Sequence, residues 1–105
     1  MCWRRAKSNI WVTNSSFNST VTKLLASTGA VLGTFYPLGE NPSGIAFDGV
    51  NIWVANENSN SVTKFLASTG AVLGKFNTGD SPIGVAFDGA DIWVTNWLDG
   101  TVSKL

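Results

Sequence analysis

The stretch IWVTN at residues 10–14 recurs as IWVAN at 52–56 and again as IWVTN at 92–96. The spacings are 42 and then 40 residues, so the chain has to be interpreted first as a repeat. VTKLLASTGAVLG at 21–33 returns as VTKFLASTGAVLG at 62–74, and VSKL at 102–105 begins a third copy. PSGIAFDG at 42–49 likewise returns as PIGVAFDG at 82–89. The sequence is one unit of about 40 residues, repeated.

Each unit is predicted to contain four short β-strands. In the middle copy, GIAFDG (44–49) places its large apolar residues, Ile45 and Phe47, on one face of a strand and Ala46 on the other. The strand stops at an Asp-Gly pair, which is typical of a hairpin turn. NIWVAN (51–56) and SVTKFLA (61–67) are rich in β-branched and aromatic residues, and AVLGKF (71–76) follows the turn STG. No segment has sustained helical periodicity. The chain is therefore predicted to be all-β.

A four-stranded antiparallel unit of about 40 residues, repeated in tandem, is typical of a β-propeller blade. IWVTN together with P-x-G-I-A-F-D-G resembles the YVTN-type and NHL-like propellers, in particular the blades of virginiamycin B lyase-like proteins. The resemblance covers residues 8–105 and implies one partial propeller domain over 1–105. We expect blade 1 at about 2–41, blade 2 at about 42–81 and blade 3 at about 82–105.

The repeated tryptophan is predicted to lie in contacts between blades. The four strands of a propeller blade are ordered outward from a central axis, so each blade packs its two faces on its neighbours. In each IWV stretch the tryptophan then faces one neighbour, and the flanking Ile and Val face the other. The predicted interface residues are Trp11, Trp53, Trp93, Ile10, Ile52, Ile92, Phe47 and Phe87.

Both terminal units are predicted to be incomplete. The third unit has no outermost strand, and the stretch that would supply the first inner strand, CWRRAK (2–7), has the length of a strand without its apolar pattern. We expect that segment to be frayed or rearranged. Three incomplete blades cannot close a ring of four to eight, and bare apolar faces and strand edges favour association.

We therefore predict ring closure by homo-oligomerisation through front-to-back contacts. A homodimer with six blades is the first expectation. A trimer or tetramer remains an alternative if one chain completes a blade begun by another.

Composition excludes several classes of partner. The formal net charge is zero, with seven basic and seven acidic residues, so no nucleic-acid or anionic-membrane footprint is present. No apolar run approaches the roughly 18 residues needed to span a bilayer, and no secretory signal is recognised. A cytoplasmic location is the default expectation. Cys2 is the single cysteine, which excludes an intrachain disulfide.

Candidate binding residues lie where the copies differ. The loops after the second and fourth strands of each unit are predicted to meet at one end of the ring, as a loop rim that could bind a ligand. The candidates on this rim are Phe17, Tyr36, Glu57, Trp97 and Asp99. Asn14, Asn56 and Asn96 end equivalent strands and are expected to bond their own loop backbones, and Lys23, Lys64 and Lys104 are interpreted as solvated.

Catalysis and metal binding receive little support. The sequence has no histidine and no cysteine pair, which argues against zinc or copper. The lyases that the chain resembles are associated with histidine and glutamate around magnesium. No position here matches those residues, so that activity is not carried over, and no cofactor, metal site or catalytic residue is predicted. Three hypotheses remain open: a self-assembling scaffold, a binding module that uses the loop rim, and a metal-dependent lyase- or lactonase-like enzyme.

Overall fold

Eleven strands form three antiparallel sheets in the computed structural model, which describes residues 2–15 and 19–105. Sheet 1 contains β1 (Cys2–Ala6), β2 (Asn9–Asn14), β3 (Thr20–Leu25) and β4 (Val31–Phe35). Sheet 2 contains β5 (Pro42–Phe47), β6 (Asn51–Asn56), β7 (Ser61–Leu66) and β8 (Val72–Asn77). Sheet 3 contains β9 (Pro82–Phe87), β10 (Ile92–Asn96) and β11 (Thr101–Lys104). A 3-10 turn, Glu57–Ser59, follows β6.

Each sheet is a meander: within a sheet, the strands that are consecutive in the chain are hydrogen-bonded neighbours. The prediction of an all-β chain with antiparallel units is confirmed. In the described residues sheet 3 has three strands, where sheets 1 and 2 have four.

The first inner strand is better formed than its sequence indicates. β1 pairs with β2 without interruption, from Cys2 opposite Thr13 to Ala6 opposite Asn9, so the expectation that residues 2–7 are frayed or rearranged is wrong. Backbone pairing and a hydroxyl compensate for the missing apolar alternation: the Cys2 amide donates to Thr13 Oγ1 at 2.9 Å. Lys7, at φ 59°, makes the tight turn to β2.

The three sheets stack front to back. We call the tryptophan-bearing side of each sheet its front face and the Ile-x-Val side its back face, because successive side chains of a strand point to opposite sides. Trp11 on the front of sheet 1 shares a buried cluster with Ile52, Val54 and Phe65 on the back of sheet 2. Trp53 on the front of sheet 2 does the same with Ile92, Val94 and Val85 on the back of sheet 3.

The inner strands approach one another closely. β5 lies against β1 and β9, and a Cβ added to Gly44 would lie 2.1 Å from the Ile83 carbonyl oxygen. Only glycine fits at that contact, which fixes the spacing of sheets 2 and 3 near the axis.

Candidate functional site: two open faces and a loop rim

Each repeated Asp-Gly turn does more than reverse the chain, because its carboxylate also accepts a hydrogen bond from a tryptophan. Asp48 Oδ1 accepts from the Val50 and Asn51 amides at 2.9 and 2.6 Å, and Oδ2 accepts from Trp53 Nε1 at 2.9 Å. Asp88 repeats the arrangement: its Oδ1 accepts from the Ala90 and Asp91 amides at 2.8 and 2.7 Å, and its Oδ2 accepts from Trp93 Nε1 at 2.7 Å. The indole nitrogen is thus satisfied inside its own sheet.

These hydrogen bonds set the ionisation of both carboxyls. Burial alone would raise the pKa of Asp48, but bonds from the Trp53 indole and the Asn51 and Val50 amides outweigh it and lower that pKa. The Asp91 amide, followed by the Trp93 indole, lowers the pKa of Asp88 to about 2. Both groups are therefore charged acceptors at neutral pH.

A lysine lies over the ring of each of the three repeated tryptophans. Lys23, Lys64 and Lys104 sit directly across from Trp11, Trp53 and Trp93 in the strand pairing. Their ammonium groups lie 5.6, 5.1 and 5.7 Å from the ring centroids, within cation–π range. The interpretation of these lysines as solvated was therefore incomplete. Lys23 also reaches across to sheet 2 and donates to the Ala67 carbonyl at 3.0 Å.

The fourth strand adds a phenylalanine to the same stack. Phe35 on β4 stacks on Trp11 at 5.5 Å between centroids, and Phe76 on β8 lies 5.6 Å from Trp53. The tryptophan site of sheets 1 and 2 therefore combines an indole, a lysine from the third strand and a phenylalanine from the fourth.

Sheet 1 lacks one part of this arrangement. Ala6 occupies the position of Asp48 and Asp88, and the fully buried Trp11 Nε1 has no hydrogen-bond partner among residues 2–15 and 19–105. An unpaired buried donor of this kind costs about 1–3 kcal/mol.

Two apolar faces remain open. On the front of sheet 3, Trp93 is 39% exposed, whereas Trp11 and Trp53 are 0% and 8% exposed. Val102 on the same face is 60% exposed, although its counterparts Val21 and Val62 are fully buried.

The back of sheet 1 is the other open face. Ile10 and Val12 lie there, opposite Leu24 on β3 and Arg5 and Trp3 on β1. Ile10 and Val12 are half-buried, and Trp3 is exposed. Of the other predicted interface residues, Phe47 packs against the cluster between sheets 1 and 2, and Phe87 is partly exposed beside Ala86 in a cavity of about 230 Å³ near the inner strands.

The loop rim is held by repeated backbone contacts. The Glu57 and Asn58 amides donate to the carbonyls of Asn41 and Glu40. In the next copy, the amides of residues 97 and 98 donate to the carbonyls of residues 81 and 80. The loops after β6 and β10 are thus tied to the crossovers that precede sheets 2 and 3.

The predicted rim residues occupy three separate places on this framework. Tyr36 lies on the first crossover and is 70% exposed, and Glu57 begins the 3-10 turn. Trp97, 66% exposed, shares its loop with Asp99, whose carboxylate accepts from Thr101 Oγ1 and the Asp80 amide. Phe17 lies outside the described residues.

The strand-ending asparagines bond to side chains rather than to loop backbone. Asn56 Nδ2 donates to Ser61 and Thr63 hydroxyls at 3.2 and 2.9 Å, and Asn14 and Asn96 make the equivalent pair of bonds. The expectation of bonds to the loop backbone is wrong for Asn56 and Asn96, whose loops lie wholly within the described residues. The amides instead hold the second strand of each sheet to the third.

Within the described ranges, no group of three or more His, Cys, Asp or Glu side chains is arranged to hold a metal ion. In the same ranges no helix has the length and apolar character needed to cross a membrane.

Sequence reasoning missed the Asp–Trp hydrogen bond and the lysine over the ring. Both have a signal in the repeat: aspartate stands five residues before tryptophan, and lysine falls opposite it in the register of second and third strands. Reading the pairing register across the repeat would have found them.

Comparison with known proteins places the fold. No protein-family model and no curated protein sequence matches the chain. Among solved structures, Kuenenia stuttgartiensis hydrazine synthase is similar with a TM-score of 0.78 and 26% identity, over 87% of this chain and 26% of that one. The β-propeller domain of Myceliophteria thermophila Cps50 (Swd1) has a TM-score of 0.72 at 10% identity, over 99% of this chain and 38% of that one.

A streptogramin B lyase structure has a TM-score of 0.70 at 20% identity, over 99% of this chain and 39% of that one. The chain thus spans well under half the length of each of these three proteins. Two of them are named as a synthase and a lyase, and the third is named as a β-propeller domain. Together with the stacked antiparallel sheets, these similarities show that the chain has the fold of part of a β-propeller.

Proposed function

We propose that the chain is a self-assembling scaffold whose copies close a β-propeller ring through their open faces. The front of sheet 3 of one copy packs on the back of sheet 1 of the next. Two copies meeting twice in this way give six blades, and a trimer or tetramer with shared blades is the alternative. The proposal gives the chain no catalytic role of its own.

The observation that carries the proposal is the unequal burial of three equivalent tryptophans. Trp11 and Trp53 are buried because each front face has a back face against it, whereas Trp93 is exposed on a front face that no sheet of the described residues covers. Burying a large apolar side chain contributes about 1.5–3 kcal/mol. An open front and an open back on one molecule allow a heterologous contact, which closes a ring when the rotation from copy to copy completes a full turn.

The two open faces match the pair that already packs inside the chain. Trp11 lies among Ile52, Val54 and Phe65, and the back of sheet 1 offers Ile10, Val12 and Leu24 at the equivalent positions. The new contact therefore repeats the second- and third-strand part of an established one with leucine in place of phenylalanine, while Trp3 and Arg5 of β1 stand where sheet 2 has Ile45 and Phe47.

Polar groups at the edge of the contact also repeat. Lys23 donates to the Ala67 carbonyl of the neighbouring sheet, and Thr13 Oγ1 donates to the Ser43 carbonyl at 2.9 Å. Lys104 and Thr95 hold those positions on the open front of sheet 3. In the proposed ring Lys104 would reach the Ala26 carbonyl of the second copy.

Light scattering coupled to size-exclusion chromatography tests the proposal. The expected mass at micromolar concentration is twice the 11.1 kDa of one chain, or three or four times for the alternatives. A folded 11.1 kDa monomer would overturn it.

Two face variants and one control locate the contact. Val12→Lys blocks the back of sheet 1, and Val102→Lys blocks the front of sheet 3. Each should give a monomer, while Leu98→Lys on the exposed rim should leave the mass unchanged. Circular dichroism confirms that each variant is folded.

Mixing the two variants tests the front-to-back geometry. Each retains one intact face, so the mixture should recover a single contact and form a heterodimer. Association of either variant alone to the wild-type mass, or no association in the mixture, would contradict the geometry.

A second candidate is a ligand- or protein-binding role for the loop rim. It is favoured by the exposure of Tyr36 and Trp97 on loops that backbone hydrogen bonds hold in place. Trp97→Ala should abolish capture of ligands from a glycan and peptide array without changing the mass. Capture that is unaffected by the substitution, or absent from the wild type, would remove this candidate.

A further inference from the structure

The turn between β1 and β2 differs from its counterparts at two adjacent positions. Sheets 2 and 3 have Asp48-Gly49 and Asp88-Gly89 there, whereas sheet 1 has Ala6-Lys7. The exchange removes a carboxylate and adds an ammonium group. Lys7 keeps the positive φ of the glycines that it replaces, at 59°. The turn is thus retained while its charge is reversed.

A cleft of about 320 Å³ opens beside this turn, between sheets 1 and 2. Its wall on sheet 1 includes Ala6, Lys7 and Lys23, and its wall on sheet 2 includes Phe47, Val50 and Leu66. No aspartate or glutamate is among the described residues that line it. The cleft therefore offers cations on one side and apolar groups on the other, at a size near the lower end of ligand-binding pockets.

Trp11 has an unused donor next to this cleft. In sheets 2 and 3 the turn aspartate accepts from the indole nitrogen, at 2.9 and 2.7 Å. By the repeat, Trp11 Nε1 points toward Ala6 in the cleft wall, and it has no partner within residues 2–15 and 19–105. Trp11 is fully buried, and a hydrogen bond formed away from water is electrostatically stronger. The space in front of Ala6 is therefore suited to a carboxylate from outside the chain.

The two lysines balance the charge of such an anion. Lys23 Nζ donates to the Ala67 and Ser68 carbonyls at 3.0 and 3.4 Å, and an ammonium group has a third donor. Lys7 is exposed, and it forms no ion pair with the described residues. Both ammonium groups therefore have donors to offer a ligand in the cleft.

We propose that this cleft binds a small monocarboxylate, with its carboxylate in front of Ala6 and its apolar tail toward Phe47 and Leu66. One carboxylate oxygen accepts from Trp11 Nε1, as the turn aspartate does in sheets 2 and 3. Because that nitrogen is shielded from solvent, binding requires a small shift of the side chains over it. The site lies between two sheets of one chain, so it goes beyond ring closure and does not depend on it.

Titration with butyrate, followed by NMR of the indole N–H groups, tests the proposal. The Trp11 resonance, assigned with Trp11→Phe, should shift saturably as its donor gains an acceptor. The Trp53 resonance should stay in place, because its donor is already paired with Asp48. Butyramide, the neutral counterpart of butyrate, and chloride at the same ionic strength should move neither resonance.

Two variants alter the site without enlarging the cleft, and a third is the control. Ala6→Asp places the chain's own carboxylate on the indole, so butyrate should bind more than about tenfold more weakly. Lys7→Gly restores the turn residue of the other copies and should weaken binding about two- to fivefold through loss of one charge. Lys75→Met removes a lysine outside the cleft and should leave binding unchanged.

Three results would overturn the inference. They are the absence of a saturable shift at Trp11, an equal shift with butyramide or chloride, and unchanged butyrate binding by both Ala6→Asp and Lys7→Gly. Val12→Lys, which blocks ring closure, should bind butyrate as the wild type does. A monomeric wild type that binds butyrate would therefore refute the ring alone, and an oligomer that does not bind it would refute the site alone.

Discussion

The unpaired indole of Trp11 yields the sharpest prediction, which is that Ala6→Asp stabilises the protein. Ala6 stands where Asp48 and Asp88 bind their tryptophans, in a turn of the same length. An aspartate there would accept from Trp11 Nε1 and from the amides of Ser8 and Asn9, the counterparts of the donors to Asp48.

The expected change in the free energy of unfolding is the gain from pairing the indole donor minus the cost of burying a carboxylate. A buried unpaired donor costs about 1–3 kcal/mol, and a hydrogen bond to a charged acceptor contributes about 1.5–3 kcal/mol. Burial of the new carboxylate at the 3%-exposed site of Ala6 opposes this gain. At Asp48 the hydrogen bonds outweigh burial, since the pKa is lowered. We expect a net gain of about 1 kcal/mol, or about 4–8 °C in Tm.

Thermal and urea unfolding at one fixed protein concentration measure the effect, because the stability of an oligomer depends on concentration. The reciprocal variant Asp48→Ala should cost about 1–3 kcal/mol, since it leaves the buried Trp53 indole unpaired. In the Val12→Lys background, in which the proposed ring cannot close, Asp88→Ala should cost less, because water can replace the acceptor at the partly exposed Trp93. A lower Tm for Ala6→Asp together with no change for Asp48→Ala would refute the reasoning.

Three further predictions rest on other contacts. Gly44→Ala should lower the free energy of unfolding by about 1–3 kcal/mol in urea titrations, because its Cβ would meet the Ile83 carbonyl oxygen; an unchanged midpoint would contradict the close approach. The depressed pKa of Asp88, about 2, means that its stabilising contribution is present above pH about 4 and is lost as the pH falls toward 2; Asp88→Asn should flatten that part of the urea midpoint–pH profile, and an unaltered profile would argue against it. Lys23→Met should cost about 0.5–2 kcal/mol through loss of its contact with the Trp11 ring, and denaturation indistinguishable from wild type would count against that contact.

The repeat made the fold predictable. The period of about 40 residues, the Asp-Gly turns and the alternation in each copy predicted antiparallel sheets, and similarity to solved propeller structures confirms them. The three-stranded third sheet followed from the same comparison of copies.

Features that depend on pairing register were not predicted. The β1 segment has a charged, irregular pattern, yet it pairs because the backbone of β2 offers a complete edge and Thr13 binds the Cys2 amide. The lysine over each indole is a neighbour across two strands, which single-strand periodicity does not reveal. The asparagine bonds were missed for the same reason. The predicted rim residues follow from differences between the copies. Such differences indicate exposed loops, but they do not indicate the distances between the side chains on those loops.

The tryptophan that faces a neighbouring sheet receives its hydrogen bond, its cation and its stacked ring from its own sheet wherever all three are present. Sheet 2 shows this complete set, with Asp48, Lys64 and Phe76 around Trp53. Around the indole itself, the neighbour therefore has only to offer an apolar surface. Tandem duplication of such a unit therefore places a front face against a back face without requiring a new polar partner for the indole. A gene encoding such a unit can lengthen by whole units while each indole keeps the partners that its own sheet supplies.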